Sequence, residues 1–247
     1  MRISRWASIA IVVCGAALVG TAALAKPRAW QDDQSLSWAP ARAIYDWTGL
    51  YVGAQVGGSF SGVGTSEFLA GTDIRTNHFH DTGSGFVGGA NFGYDWQAWN
   101  KFVAGISFDV NGTNDKARHD FAGGSYIGAT IDFTASALVR GGVLVTPAFL
   151  LYGQTGISIA NQQLQIDFGG PETNESKIIY GFTIGGGGEW KLPTSPVAFA
   201  KSTSLFVDYR HTFWNKATLS RPDASPFFDY AWCRDTDAIN LGFRLRF

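Results

Sequence analysis

From Trp47 to the C-terminus, apolar residues alternate with small, polar or charged ones in successive runs of about ten. A period of two sustained over that length predicts β-strands with two chemically different faces. The first run places Leu50, Val52, Ala54 and Val56 opposite Tyr51, Gly53, Gln55 and Gly57. The second sets Phe86, Ala90, Phe92, Tyr94 and Trp96 against Val87, Gly89, Asn91, Gly93 and Asp95. In the third, Phe102, Ala104, Ile106, Phe108 and Val110 oppose Val103, Gly105, Ser107 and Asp109. The fourth carries Ile131, Phe133, Ala135, Ala137, Val139, Val143 and Val145 against Asp132, Thr134, Ser136, Arg140 and Gly142. Leu151, Thr155, Ile157 and Ile159 face away from Tyr152, Gln154, Gly156 and Ser158 in the fifth. The sixth has Tyr180, Phe182, Ile184, Trp190 and Leu192 against Thr183, Gly185, Gly187, Glu189 and Lys191. The seventh opposes Leu205, Val207, Tyr209 and Phe213 to Ser204, Phe206, Asp208 and Arg210. The eighth ends the chain, with Ile239, Leu241, Phe243, Leu245 and Phe247 against Asn240, Gly242, Arg244 and Arg246.

Eight strands are an even number, and the segments between them alternate in length. Short connections fall at 98–100 and 146–148 and a medium one at 193–202, while 61–83, 111–127, 160–177 and 214–236 read as long polar loops. Short turns at one end and long loops at the other predict an all-β fold, an eight-stranded antiparallel up-and-down transmembrane β-barrel. Polarity decides which face is outside. A soluble eight-stranded barrel keeps its apolar face inside. Here that face is the more continuous one, so lipid is its natural neighbour, and a lipocalin-like barrel or a periplasmic β-sandwich fits less well.

Turned inward, the other face brings Asp95, Asp109, Asp132, Glu189 and Asp208 beside Arg140, Lys191, Arg210, Arg244 and Arg246. Unpaired charges there would each cost several kcal/mol, so a paired structural network is expected, with Arg140, Glu189, Asp208, Arg210, Arg244 and Asp109 as its main members. Trp47, Tyr94, Trp96, Trp99 and Trp190 lie near strand ends, where an aromatic girdle meets lipid headgroups.

Composition agrees with this picture. Charged residues make up 16% of the 247, aromatics 15%, and 31 are glycine. That is poor in charge for a cytosolic enzyme, and the glycines have no three-residue period. A net charge of −1 leaves no basic stripe for nucleic acid. Arg2 and Arg5, an uncharged run from Ala7 to Leu18 and the Ala23-Leu24-Ala25 site describe a signal peptide over 1–25. Residues 26–46, with Pro27 and Pro40, read as a flexible periplasmic lead-in, and 47–247 as the barrel. Cleavage would remove Cys14 and leave Cys233 alone, so no disulfide is expected within the mature chain.

Candidate chemistry is sparse. His78 and His80 share one face of an extended segment, the spacing of a two-ligand metal or haem site, but no cysteine or carboxylate cluster accompanies them. His119, Asp120 and Ser125 hold the residue types of a base-assisted nucleophile in a polar segment where such sets arise by chance. No phosphate-binding or dinucleotide fingerprint occurs, and the Gly185–Gly188 run lies in a strand. The expectation is therefore no enzyme, no catalytic residue, no metal and no cofactor. Eight strands leave an interior just wide enough for side chains, so a narrow pore is the alternative to a closed barrel.

The stretch Trp47-Thr48-Gly49-Leu50-Tyr51-Val52-Gly53 resembles the opening strand of the small outer-membrane immunogenic-protein or porin-family barrels of alpha-proteobacteria. Further likenesses fall at Val139-Arg140-Gly141-Gly142-Val143, Leu151-Tyr152-Gly153, Gly185 to Trp190 and Leu205 to Arg210. The closing residues Phe243, Leu245 and Phe247 resemble the strand that the outer-membrane assembly machinery engages. The resemblance covers about 47–247 and implies a barrel related to the OmpA transmembrane domain. The reading expected for such a barrel is an outer-membrane protein, a monomer or else an oligomer, that contributes to envelope integrity and surface interaction. Its partners would be outer-membrane lipids, lipopolysaccharide and the assembly machinery.

Overall fold

A computed structural model describes residues 46–247 apart from 99–100, 122–123, 168, 170–172 and 221–226. The expected signal segment, all but the last residue of the lead-in, and Trp99 lie outside the described residues. The strands are β1 (Gly49–Leu69), β2 (Arg75–Ala98), β3 (Phe102–Asp120), β4 (Tyr126–Thr146), β5 (Phe149–Asp167), β6 (Thr173–Lys191), β7 (Ser202–Trp214), β8 (Ala217–Ser220) and β9 (Phe228–Arg246). Each pairs antiparallel with its neighbour, and β1 pairs with β9 from Tyr51↔Arg246 to Leu69↔Phe228, so the sheet closes on itself. The four-residue β8 continues the line of β7 along β9 after a break at Asn215 and Lys216, which leaves eight strand positions around the ring.

The long loops expected from the sequence are strand instead. β1 runs on to Leu69 and β2 starts at Arg75; β3 reaches Asp120 and β4 starts at Tyr126. At about 3.3 Å per residue and a tilt near 40°, strands of 19–24 residues rise roughly 50–60 Å, about twice the apolar band of an outer-membrane barrel. Gly, Asn, Thr and Ser suggested loop, yet cross-strand pairing overrides weak strand propensity.

The apolar belt occupies the end of the barrel that holds Trp47 and Phe247, here the lower end. Leu50, Val52, Val56 and Phe60, then Phe86, Phe92 and Trp96, then Ile106, Phe108 and Val110 all point outward and are exposed. So do Leu151, Ile157, Phe182, Ile184, Val207, Ile239, Leu241 and Phe243. Their opposite faces are buried in the lumen, so the inside and outside assignments for these strands hold. Ile106 and Ser107 illustrate it: 39% exposed against 2%.

Polarity reverses in the upper part. Its interior is an apolar cluster of Val63, Ala117, Ile127, Ala129, Ile131, Ala160, Leu164, Ile166, Ile179, Ala217, Tyr230 and Trp232. Its outer wall carries Ser66, His80, Lys116, Arg118, Asp132, Gln163, Gln165 and Asp235. Pairing changes at the same height. β2 and β3 are paired only up to Ser84↔Lys116, and β6 and β7 only up to Gly181↔Trp214. One further exchange, Asn215 N–H to Tyr180 O at 2.8 Å, follows on the second seam. Beyond these points β8-β9-β1-β2 and β3-β4-β5-β6 form two separate four-stranded sheets that face each other across the apolar cluster. The Asp81 carboxylate, 2.9 Å from His119 Nδ1, and the Phe79, His119 and Phe121 rings bridge the β2/β3 seam through side chains.

Candidate functional site: the filled lumen

The lower mouth is plugged by Trp47, which is fully buried. Its backbone N–H donates to Gln97 Oε1 (2.9 Å) and its indole N–H to Pro147 O (3.1 Å). The girdle role expected for Trp47 is therefore wrong: the chain turns over the barrel rim before β1 and carries the indole inside. Trp96 and Trp190, 51% and 60% exposed, do face outward as a girdle requires. Lys191 sits 4.7 Å from the Trp47 ring and donates to Asp46 O (2.6 Å). Outside the barrel, the Lys201 ammonium hydrogen-bonds the Asp46 carboxylate at 2.7 Å and holds its pKa down at about 2.

Above Trp47 lies the first charged layer. Glu189 is fully buried and accepts from Arg140 (2.8 Å), Arg244 (2.5 Å), Arg246 (3.2 Å) and the Ser204 hydroxyl (2.6 Å). Asp95 shares two of these partners, with Arg140 at 3.0 Å and Arg246 at 2.8 Å. Aromatic faces complete the layer: Arg244 lies 3.9 Å from the Phe206 ring and Arg140 4.6 Å from the Tyr152 ring. Glycine makes the space for them. A Cβ on Gly93 would lie 2.5 Å from Tyr51 Oη, and one on Gly242 would lie 2.7 Å from the Phe206 ring. Rigid rings cannot yield at that distance, so side-chain-free positions on adjacent strands seat these rings.

Tyr152 connects this layer to the next, since its hydroxyl donates to Asp208 (3.3 Å). Arg210 reaches Asp208 through both Nε (3.1 Å) and Nη2 (3.0 Å), and Asp109 through Nη1 (3.3 Å). Asn240 and Gln154 also donate to Asp208, at 3.0 and 3.3 Å. Next comes a hydroxyl chain, Ser136–Ser158–Thr183–Thr212, with oxygen separations of 2.7, 2.6 and 2.8 Å. A small cavity of about 60 Å³ opens here between the charged layers and the apolar cluster. Asp115 and Ser59, hydrogen-bonded at 3.0 Å, line it, and Asp115 is also held by Ser61 (2.8 Å) and paired with Arg234.

All six residues expected in a lumen network are buried, but in two layers: Arg140, Glu189 and Arg244 below, Asp109, Asp208 and Arg210 above. Asp132 is not among them. An extra residue in β4 between Ile131 and Phe133 turns Ile131 into the lumen and Asp132 outward, where Asn161 and Gln163 donate to it. Sequence reasoning missed Asp115 and Arg234 because both lie in segments read as loop. A signal was present: in 160–166 and 230–234 the alternation continues with its phase exchanged.

The other candidates are separated. His78 and His80 sit side by side on the outer face of β2, exposed, with Ser66 Oγ 3.1 Å from His78 Nδ1. Among the described residues no group of three His, Cys, Asp or Glu is placed to hold a metal ion. His119 meets Asp81 rather than Asp120, whose carboxylate pairs with Arg118 on the outer face. Cys233 is free and exposed, in β9 rather than in a loop. At the closing strand, Phe247 N–H donates to Leu50 O (2.9 Å) and its ring stacks on Phe199 at 6.3 Å.

No family model matches the chain. The chain is homologous to the 31 kDa outer-membrane immunogenic protein of Brucella melitensis biotype 1 and of Brucella suis biovar 1. Each is 24% identical over 220 residues, covering 85% of this chain and 88% of the relative. Among solved structures it resembles the outer-membrane protein OprG from Pseudomonas aeruginosa, with 16% identity and a TM-score of 0.48 over 83% of this chain and 99% of that one. It also resembles Neisserial surface protein A, with 12% identity and a TM-score of 0.38 over 81% and 98%. With its belt of apolar side chains and its closed ring, the protein is an integral β-barrel of the outer membrane.

Proposed function

We propose that this barrel is a non-enzymatic component of the envelope, closed to solutes, which meets its surroundings through its upper half and outer wall. One observation carries the reading: apart from the cavity of about 60 Å³, the lumen is filled by Trp47, by two ion-paired layers, by a hydroxyl chain and by an apolar cap. Moving a solute through would require breaking buried ion pairs whose loss costs about 3–5 kcal/mol apiece. Purified protein in planar bilayers is expected to show no stepwise conductance. Sustained single-channel steps would overturn the closed reading in favour of a narrow pore.

In this reading the upper half lies outside the cell and the short-turn end faces the periplasm. Cys233 should then react with a membrane-impermeant maleimide on intact cells; labelling only after the outer membrane is opened would reverse the orientation.

Phe243, Leu245 and Phe247 serve in this reading as the assembly signal. Phe247 is half exposed and adds one backbone hydrogen bond to a ring already closed over many pairs. Deleting it should leave refolding into lipid nearly unchanged while lowering surface levels in cells several-fold. Normal surface levels would remove the signal role, and failure in both settings would make Phe247 a stability residue.

A further inference from the structure

Two grooves on the outer wall meet at one lysine. The lower groove lies at the top of the apolar belt, with Gly58, Ser84 and Gly85 as its floor and Phe60 and Phe86 at its sides. Both rings are exposed, at 58% and 79%. The upper groove, across β3, β4 and β5, is lined by Arg118, Tyr126, Thr130, Gln163 and Gln165 over Gly128. Lys116 borders both.

The strand register puts Lys116 at the boundary between belt and upper wall. Phe60 pairs with Ser84, Ser84 with Lys116, Lys116 with Thr130, and Thr130 with Gln163, so these residues share one rung around the barrel. Phe86 is two residues below Ser84 on β2. Lys116 is exposed, and among the described residues no carboxylate pairs with it. Arg118, one outward position higher, lies 3.8 Å from the Tyr126 ring and is paired with Asp120, which fixes a flat cationic platform. Asp132 adjoins the groove, but Asn161 and Gln163 occupy its carboxylate. On another part of the outer wall above the belt, β9 carries Asp235 and Asp237.

The ligand chemistry follows from this order. An aliphatic chain fits a glycine floor between two phenyl rings; a phosphate belongs beside an unpaired ammonium; sugar hydroxyls suit paired amides, a threonine and an aromatic platform. We propose that this face of β1–β5 binds a phosphorylated glycolipid of the outer leaflet, an acyl chain lying between Phe60 and Phe86 and its phosphate meeting Lys116. The proposal rests on the outer-membrane placement and not on the closed lumen, so a conducting barrel would leave it standing.

The test uses the full barrel refolded in detergent micelles, with bisphosphorylated lipid A and its dephosphorylated form as probes and native mass spectrometry as the readout. Lys116→Gln should weaken binding of the phosphorylated form at least five-fold and leave the dephosphorylated form unaffected. Lys116→Arg should restore binding. Gly58→Leu, where the added side chain has room, should weaken both forms alike. Lys177→Gln, at the other edge of the same sheet on β6, should change neither. Heat-modifiable electrophoretic migration checks closure of each variant. The proposal is overturned if Lys116→Gln binds like the parent, if dephosphorylation has no effect, or if Lys177→Gln loses as much as Lys116→Gln.

Discussion

Below Ser84 and Gly181 the wall is an unbroken ring of eight strands with charges inside and apolar groups outside; above them it is two sheets clasping an apolar cluster under a polar surface. One chain builds both, often from a single strand. On β5, Ile157 and Ile159 face out in the lower part, while Leu164 and Ile166 face in above them. The difference lies in the solvent. In hydrocarbon, no water can satisfy an unpaired N–H or C=O, so the ring has to close, and its interior is where polar side chains find partners. Above the membrane, water satisfies an open strand edge, and the apolar groups gather inside as they do in any β-sandwich. The seams at β2/β3 and β6/β8 are tolerable only there.

The largest test of this contrast is Glu189→Ala. It removes the common partner of three buried arginines and should cost about 3–5 kcal/mol in denaturant unfolding from lipid, opening the lower ring. A loss under 1 kcal/mol would mean the charged layer is dispensable for closure. Leu164→Ala should cost about 2–5 kcal/mol but only in the upper half. Hydrogen exchange or limited proteolysis would find the upper strands loosened while heat-modifiable migration stays normal; loss of that migration would show the two halves to be one cooperative unit. Ile106→Arg, mid-belt on β3, should cost about 2–4 kcal/mol and reduce refolding yield, more than Ser107→Arg does. The same outward face of β3 already carries Lys116 and Arg118 higher up, so equal tolerance at Ile106 would place that position outside the bilayer. The smallest effect belongs to Asp46→Asn. Its partner Lys201 is solvent-exposed, so the change should stay within about 0.5 kcal/mol at neutral pH. Because the folded pKa of Asp46 is depressed, that small contribution is present above about pH 4 and lost as pH falls towards 2. A larger effect would tie the lower plug to this surface pair.

The period-two pattern was sufficient for the barrel, its belt and the six charged residues of the lumen, because lipid outside and a narrow interior leave each strand one workable orientation. The same pattern also carried the inversion. In 160–166 the polar Asn161, Gln163 and Gln165 take the parity that Ile157 and Ile159 hold as apolar just before, and only Gln162 is polar on the other parity. The phase change is visible in the letters, but its meaning depends on where the membrane ends. β4 shows the limit more sharply. Ile127, Ile131, Phe133 and Ala135 share one parity and read as one face. Only the extra residue at Asp132, forced by the register of β5 alongside, sends Ile131 inward and Phe133 outward. Trp47 likewise reads as girdle by its neighbourhood in sequence and becomes a plug because the chain crosses the rim before β1 starts. Sequence alone determined the alternation, and with it the strands, the closed lower ring and its paired charges. The tertiary structure decided the bulge, the plug, the two upper sheets and the layering of the charges. Register between neighbouring strands is a relation between distant segments, and no single run of residues contains it.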